Sequence, residues 1–422
     1  MEVKRLGCLE ITNVSIKLLI GYKLDDAPIV LYTKTIPLEK GIVSHGMVSN
    51  MDSAVSTLKE LRDIRDEDEK ISLNLENVCL VIPSIGLKVY SNDKNFLVSR
   101  EDGVIEQIDI ANLISLLRKE PVPNGNAIAD IIPIVFQLDD GRRFSQPPIG
   151  MTSGSITVKA MVHTLPESLA GQYQTIANAA GYRVKKSAVS VYCAAKYFAS
   201  IPEAPKNYLL LDIGALSTDL ALIGDREPYS ATSFARGGQN LTEMIADAFS
   251  ISLADAEALK VNHGYQTRSL SYKPPIIKGY DKETGNPKYF YQKDLNAIIE
   301  AYFETFLSEL SASLKVVLER HTNPQFDALP FLLSGGGSEL YGLADFLRKA
   351  FPTREVIFIR PTAIGARSPA YTNLLGMLLA GSAYSGSQSD FSRGVATVTR
   401  EAPKNDKRAP KKVSRNAIDE DL

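Results

Sequence analysis

The sequence predicts an α/β protein of two related lobes with a ligand cleft between them. Three observations carry that expectation. A strand–turn–strand motif occurs twice, at residues 6–21 and 208–224, and self-similarity at such a distance is the mark of a duplicated unit. An apolar strand, "ALPFLL", runs into Gly335, Gly336 and Gly337 and then into helical sequence, a pattern that brings backbone N–H groups close to a phosphate. The chain has 422 residues, 44% hydrophobic and 23% charged, which is an ordinary globular balance and too much chain for one core.

The elements follow in order. "RLGCLEITNVSIKLLIGYK" reads as a hairpin turning at Thr12 and Asn13, and "IVLYTKTIPL" adds a third strand. "SNMDSAVSTLKELRDIRDEDEK" places Val55, Leu58, Leu61 and Ile64 at helical spacing and ends in charge. "NVCLVIP" is continuously apolar, like a strand buried on both faces. From Ser84 to Pro166 the texture changes to a small α+β insert. It holds a helix at "IDIANLISLLRKE", a hairpin turning at Asp139-Asp140-Gly141 and a strand in "SGSITVKAMVHTLP". Helices at "PESLAGQYQTIANAAGYRV" and "AVSVYCAAKYFASI" precede the second hairpin, "NYLLLDIGALSTDLALIG". Further helices follow at "NLTEMIADAFS", "SLADAEALKVNHG" and "LNAIIEAYFETFLSELSASLKVVLERH", and one opens near Glu339 after the glycines. Beyond Tyr384 the residues are mostly Ser, Gly, Lys, Arg, Pro and acids, so 385–422 reads as a disordered basic tail. The expected division is 1–83 and 167–205 for the first lobe and 84–166 for the insert. Residues 206–384 form the second lobe, with 236–328 as its outer subdomain.

Several classes are set aside. Net charge is −2, so no basic field argues for nucleic acid. Cys8, Cys79 and Cys193 form no CxxC pair and read as reduced, buried thiols of a cytosolic protein. His45, His163, His263 and His321 lack metal-ligand spacing. "MEVKRLGCLE" has no apolar signal region. The longest apolar run, "LLGMLLAGSA", falls short of the ~18 residues that span a bilayer.

Three motifs carry chemistry. Asp212 ends a strand before Gly214, where a carboxylate can order Mg²⁺ through water and a glycine admits phosphate oxygens; alone, a plain hairpin turn explains it equally. The run Gly335, Gly336 and Gly337 is more specific, since a mere turn rarely needs three glycines. Glu257 and Lys260 share a helical face at i, i+3 and alone read as a solvated ion pair.

Taken together, "LEITNVSIKLLIG", "LLLDIGALSTDLAL", "ARGGQNLTEMIADAFSISLADAEALKVNHG" and "LLSGGGSELYGL" resemble the actin, heat-shock-chaperone and sugar-kinase superfamily in order and spacing. With the insert segment "DGRRFSQPPIGMTSGSITVKAMVHTLP", the chain resembles the FtsA family of bacterial cell-division proteins over residues 5–383. The resemblance implies an actin-like fold of ribonuclease-H-like repeats and a self-assembling scaffold that binds ATP and Mg²⁺. That scaffold would link the FtsZ ring, through the FtsZ C-terminal peptide, to other division proteins and to the cytoplasmic face of the membrane. It places Glu10, Thr12 and Asn13 in the first phosphate loop, Asp212 at the metal and Gly214 at phosphate. Gly237 and Gly238 would line the cleft, Glu257 and Lys260 would hold ribose or base, and Gly335, Gly336 and Gly337 would pass over the adenosine. The PilM scaffold of type IV pilus assembly is the alternative of the same fold. An active ATPase or sugar kinase is the third reading, but the intact first loop and catalytic Asp that a kinase needs are not found.

The departures from the family pattern are equally specific. The first loop reads Glu10-Ile11-Thr12 where the family has Asp-Ile-Gly, and Ala215-Leu216-Ser217 replaces a glycine run. Each lost hydrogen bond to a charged group costs ~1.5–3 kcal/mol, so two weaken binding on the order of a hundredfold. "KKSAVSVYCAAKYFAS" offers no acid or amide to position a water. Weak nucleotide binding with little turnover, and no catalytic residue, is the expectation. Tyr302 stands where the family has a base that helps hold the FtsZ tail, with Lys288 and Lys293 as substitutes. In the tail, Val413, Ile418 and Leu422 form no apolar stripe, and Pro403 and Pro410 oppose a helix. What remains is a basic cluster, Lys404, Lys407, Arg408, Lys411, Lys412 and Arg415, suited to electrostatic contact with anionic lipid.

Overall fold

The computed structural model describes residues 5–382 apart from 45, 67–70, 75–76, 267–273, 320–325 and 327, together with a strand at Thr397–Arg400. The first sheet is built from β1 (Leu6–Ile11), β2 (Ser15–Leu24), β3 (Ala27–Pro37), β4 (Asn77–Ile82) and, after the insert, β9 (Arg183–Val189). Its order is β3-β2-β1-β4-β9, with the first three strands antiparallel and the last two parallel to β1. The second sheet uses β10 (Tyr208–Ile213), β11 (Thr218–Gly224), β12 (Glu227–Phe234), β13 (Phe331–Ser334) and β14 (Val356–Phe358). Its order, β12-β11-β10-β13-β14, repeats the first strand for strand in position and direction. The duplication legible in the two hairpins therefore extends to five strands in each lobe.

Period-two alternation explains why β10 is apolar on both faces up to Asp212. Leu209 and Leu211 face one core with Leu220, Leu222, Phe331 and Leu333, covered by α5 (Gly238–Phe249) and α7 (Gln292–Leu318). Tyr208 and Leu210 face the other with Ala221, Ile223 and Leu332, which merges with the core of the first lobe. Into that core pack α1 (Met51–Glu60), α3 (Glu167–Ala179), α4 (Ser190–Ala199) and α9 (Thr372–Ser382). Helix α9 carries the longest apolar run and crosses α4 very closely: a Cβ on Gly376 would fall 1.7 Å from the Cys193 carbonyl oxygen. No helix among the described residues is long and apolar enough to cross a membrane.

The insert is a four-stranded antiparallel sheet of β5 (Lys88–Leu97), β6 (Asn126–Leu138), β7 (Arg143–Phe144) and β8 (Ser155–Pro166), in the order β7-β6-β8-β5. Its helix α2 (Gln107–Arg118) buries Ile110, Leu113 and Leu117 against Phe136 and Val158, a core separate from both lobes. Gly141 turns the expected hairpin at φ +86°.

Three stretches differ from the sequence reading. Arg183–Val189 is a strand where the ends of both flanking segments read as helical. Helix α1 stops at its cap residue Leu61, the last buried position of its face, and Asp63–Asp66 is a strand. After the glycines, Gly336–Glu339 forms a single 3₁₀ turn, and α8 begins only at Leu343, because Gly342 adopts the left-handed conformation at its N-terminus. The cysteines are buried and unbridged, Cys8 lying opposite Cys79 in register. Thr397–Arg400 pairs with Ile71–Asn74, and the basic residues from Lys404 to Arg415 lie outside the described residues.

Candidate functional site

A cavity of about 860 Å³ lies between the lobes, and both hairpin turns open into it. Of the residues singled out in the sequence, Glu10, Thr12, Asn13, Asp212, Gly214, Gly238, Glu257, Lys260, Gly335, Gly336 and Gly337 all line it. Gly237 does not. It is the extended N-cap of α5, and a Cβ there would meet the Gly214 and Ala215 carbonyl oxygens at 2.5 and 2.6 Å. This glycine lets α5 abut the second loop rather than touch a ligand.

The loops spend their amides on themselves. The Thr12 N–H donates to the Ser15 carbonyl at 2.8 Å, while the Val14 and Ser15 N–H groups donate to the Thr12 hydroxyl at 3.4 and 3.0 Å. Those three amides are thus engaged within the turn. In the second loop the Gly214 N–H donates to the Ser217 carbonyl at 2.9 Å. The first amides of α5, at Gly238 and Gln239, donate to Gly214 and Ala215 carbonyls at 2.9 and 2.7 Å. A helix N-terminus that would otherwise attract an anion is satisfied by the chain.

The three glycines divide by role. Gly335 has φ +77° and ψ 161°, a region essentially restricted to glycine, and a Cβ there would lie 2.3 Å from the Ile213 carbonyl oxygen. A Cβ on Gly337 would strike Ile213 Cγ2 at 2.4 Å. Only Gly336 is exposed, with nothing nearer than Ala370 Cβ at 3.5 Å. Lys260 Nζ spends its three donors on the Gly238 carbonyl (3.0 Å), the Thr242 hydroxyl (2.8 Å) and Glu257 Oε2 (2.7 Å). The pair clamps α6 (Leu253–Asn262) to α5 at the cavity wall.

Three participants were missed in the sequence. Lys17 lies opposite Glu10 in register, its ammonium 3.1 Å from Glu10 Oε2 and donating to the Ala370 carbonyl at 2.7 Å. Asn373, the second residue of α9, donates through Nδ2 to Glu10 Oε1 at 3.0 Å and to Asp212 Oδ2 at 3.1 Å. Asp219, opposite Asp212 in register, accepts from the Ser190 hydroxyl at 3.0 Å and the Ser233 hydroxyl at 2.6 Å. Burial first, and then the Asp219 charge, push the Asp212 carboxyl up to about 7. Burial also raises Asp219, against the two serine hydroxyls.

Comparison with known families turns on the insert and the second lobe. The "SHS2 domain inserted in FTSA" model matches residues 86–164, and the "Cell division protein FtsA" model matches residues 209–376, together more than half of the chain. The chain belongs to the FtsA family. It is similar to the cell division protein FtsA of Enterococcus hirae, 22% identical over 378 residues, covering 88% of this chain and 81% of that one. FtsA of Streptococcus pneumoniae serotype 2 is 25% identical over 344 residues, covering 79% of this chain and 71% of the relative. Among solved structures, a PilM–PilN type IV pilus biogenesis complex matches with a TM-score of 0.57 and 20% identity, over 90% of this chain and 99% of that one. MreB5 of Spiroplasma citri bound to AMPPNP matches with a TM-score of 0.50 and 13% identity, over 89% and 95%. Both show the actin-like fold.

Within that family frame, Tyr302 is no surface residue. It is buried in α7, where its hydroxyl donates to the Gly237 carbonyl at 3.0 Å. Lys288 pairs with Asp281 at 3.2 Å and lies over the Phe290 ring, while Lys293 is exposed at the start of α7. No group of three or more His, Cys, Asp or Glu side chains among the described residues is placed to hold a metal.

Proposed function

We propose that this FtsA-family chain is an actin-like scaffold of cell division that assembles with itself, binds the FtsZ C-terminal peptide and meets the membrane at the division site. In this reading residues 84–166 are a separable subdomain. The cleft holds ATP weakly, with little turnover. The observation that carries the nucleotide part is the state of the loops. The cavity has the size and glycine lining of a nucleotide cleft, yet the Thr12, Val14, Ser15 and Gly214 amides of its turns are bound internally, and each must be released before it can serve a phosphate. Adenosine would pass the exposed Gly336, and Asp212 is the carboxylate proposed nearest a metal. The absence of an acid at the start of α4, where Ser190 instead donates to Asp219, argues against positioning a hydrolytic water.

Calorimetry with the FtsZ C-terminal peptide and with ATP tests the two halves separately. Micromolar peptide binding with weak ATP binding and negligible phosphate release is expected. No peptide binding would refute the FtsZ link, and rapid phosphate release would refute the scaffold without turnover.

A further inference from the structure

The proposed nucleotide cleft, on which this step rests, has its two lobes tied together by groups that leave no place for a divalent ion bound directly between its two facing carboxylates. Glu10 belongs to the first sheet and Asp212 to the second, so an ion shared between them would join the lobes. The point between these carboxylates is filled by the chain. Asn373 Nδ2 lies 3.0 Å from Glu10 Oε1 and 3.1 Å from Asp212 Oδ2. An Mg²⁺ bound directly by both carboxylates would need that point, since it binds oxygen at about 2.0–2.1 Å in near-octahedral geometry. The second Glu10 oxygen is taken by the Lys17 ammonium, which the Ala370 carbonyl holds in place. Glu10 therefore already has a cation, and a metal beside it would face both that ammonium and the amide hydrogens. The amide cannot simply turn round, because its oxygen would then face two carboxylates.

We infer that Lys17 and the Asn373 amide stand in for a divalent cation in this cleft, so that the lobes are held together without Mg²⁺. Lys17 supplies the charge, and Asn373, anchored on α9 in the core of the first lobe, supplies the bridge to the second. The same inventory says how a metal site could be restored. Asn373→Asp replaces the donor between the carboxylates with a third carboxylate, and Lys17→Met removes the competing charge.

The test is thermal melting and calorimetry of the full chain without nucleotide, in EDTA and in millimolar MgCl₂. The native chain should melt at the same temperature in both and give no Mg²⁺ binding heat. Asn373→Asp should melt lower in EDTA, regain several degrees with Mg²⁺, and bind Mg²⁺ at least tenfold more tightly than the native chain. Lys17→Met should gain Mg²⁺-dependent stability in the same direction, and carries the test if the other variant fails to fold. Magnesium stabilisation of the native chain that Glu10→Gln abolishes would overturn the inference, as would folded variants that both ignore Mg²⁺. Because no nucleotide is present, a chain that proved unable to bind ATP would sink the nucleotide reading and leave this result standing.

Discussion

Replacing Asp212 with asparagine should favour the folded chain by about 2 kcal/mol more at about pH 8 than at about pH 5.5. Asp212 is 8% exposed, and burial and Asp219 hold its carboxyl at about 7 against an ordinary value of 3.8. A group whose folded pKa is raised takes up its proton in the folded state first, so its contribution to stability is highest below 3.8. That contribution is lost as pH rises through 3.8 towards 7 and stays lost above it. Each pH unit in that window costs the native chain about 1.36 kcal/mol. Between pH 5.5 and neutrality the loss is thus about 2 kcal/mol, which the Asp212→Asn variant, having no charge to bury at this position, does not suffer. The substitution keeps an acceptor for Asn373 but points an amide where Asp212 Oδ1 lay, a penalty of ~1–3 kcal/mol that is the same at both pH values. The difference between the two pH values therefore isolates the buried charge. Thermal melts of both proteins at each pH measure it, at about 2–4 °C per kcal/mol for a unit of 150–250 residues. An equal shift at both pH values would refute the argument.

Gly335→Ala and Gly337→Ala should each destabilise the chain and lower its melting temperature, the first losing about 1–3 kcal/mol of stability for its backbone conformation alone. Gly336→Val should melt like the native chain yet weaken ATP binding at least tenfold, as measured by calorimetry. Thr12→Gly should release the Val14 and Ser15 amides and tighten ATP binding by ~1.5–3 kcal/mol if one reaches a phosphate; unchanged affinity in a folded variant would show that loop closure is not what limits binding. Liposome co-sedimentation should require anionic lipid, end on truncation after Tyr384, and fade with salt as the screening length shrinks from ≈ 10 Å at 0.1 M to 3 Å at 1 M; salt-resistant binding to neutral lipid would refute an electrostatic tail.

The architecture was legible because duplication and burial leave periodic traces. Two apolar hairpins of matching form predicted two lobes, and the strand directions around them follow once each hairpin seeds a sheet. The insert was legible as a change of texture with its own turn at Gly141. The start of α8 was not, because glycines after a strand end suit both a helix N-terminus and a 3₁₀ turn. The choice was made by Gly342 against Tyr265, from a distant segment: a Cβ there would lie 2.8 Å from Tyr265 Cβ. The inward place of Tyr302 was likewise not legible, because α7 turns it onto the distant Gly237.

The site divides along the same line, between local and distant partners. Thr12 capping the amides two and three residues on is a local serine/threonine turn, and the side-chain type at that turn already implied it. Lys17 was nearly within reach. A turn at Thr12 and Asn13 alone would set residue 10 opposite 15, but the loop also takes in Val14 and Ser15, so residues 10 and 17 fall opposite one another, and an acid facing a base across two strands is a stabilising pair. Asn373 was not within reach by any such route. It meets Glu10 across 363 positions of sequence and Asp212 across 161, through a helix whose own pattern announces only burial. Its partners are set by how α9 docks, and that docking depends on Gly376 admitting the Cys193 carbonyl. A residue that reads as polar punctuation before an apolar helix thereby becomes the bridge between lobes. The chemistry of this cleft is accordingly decided less by its loops, which the family pattern marks, than by the packing contact between α4 and α9.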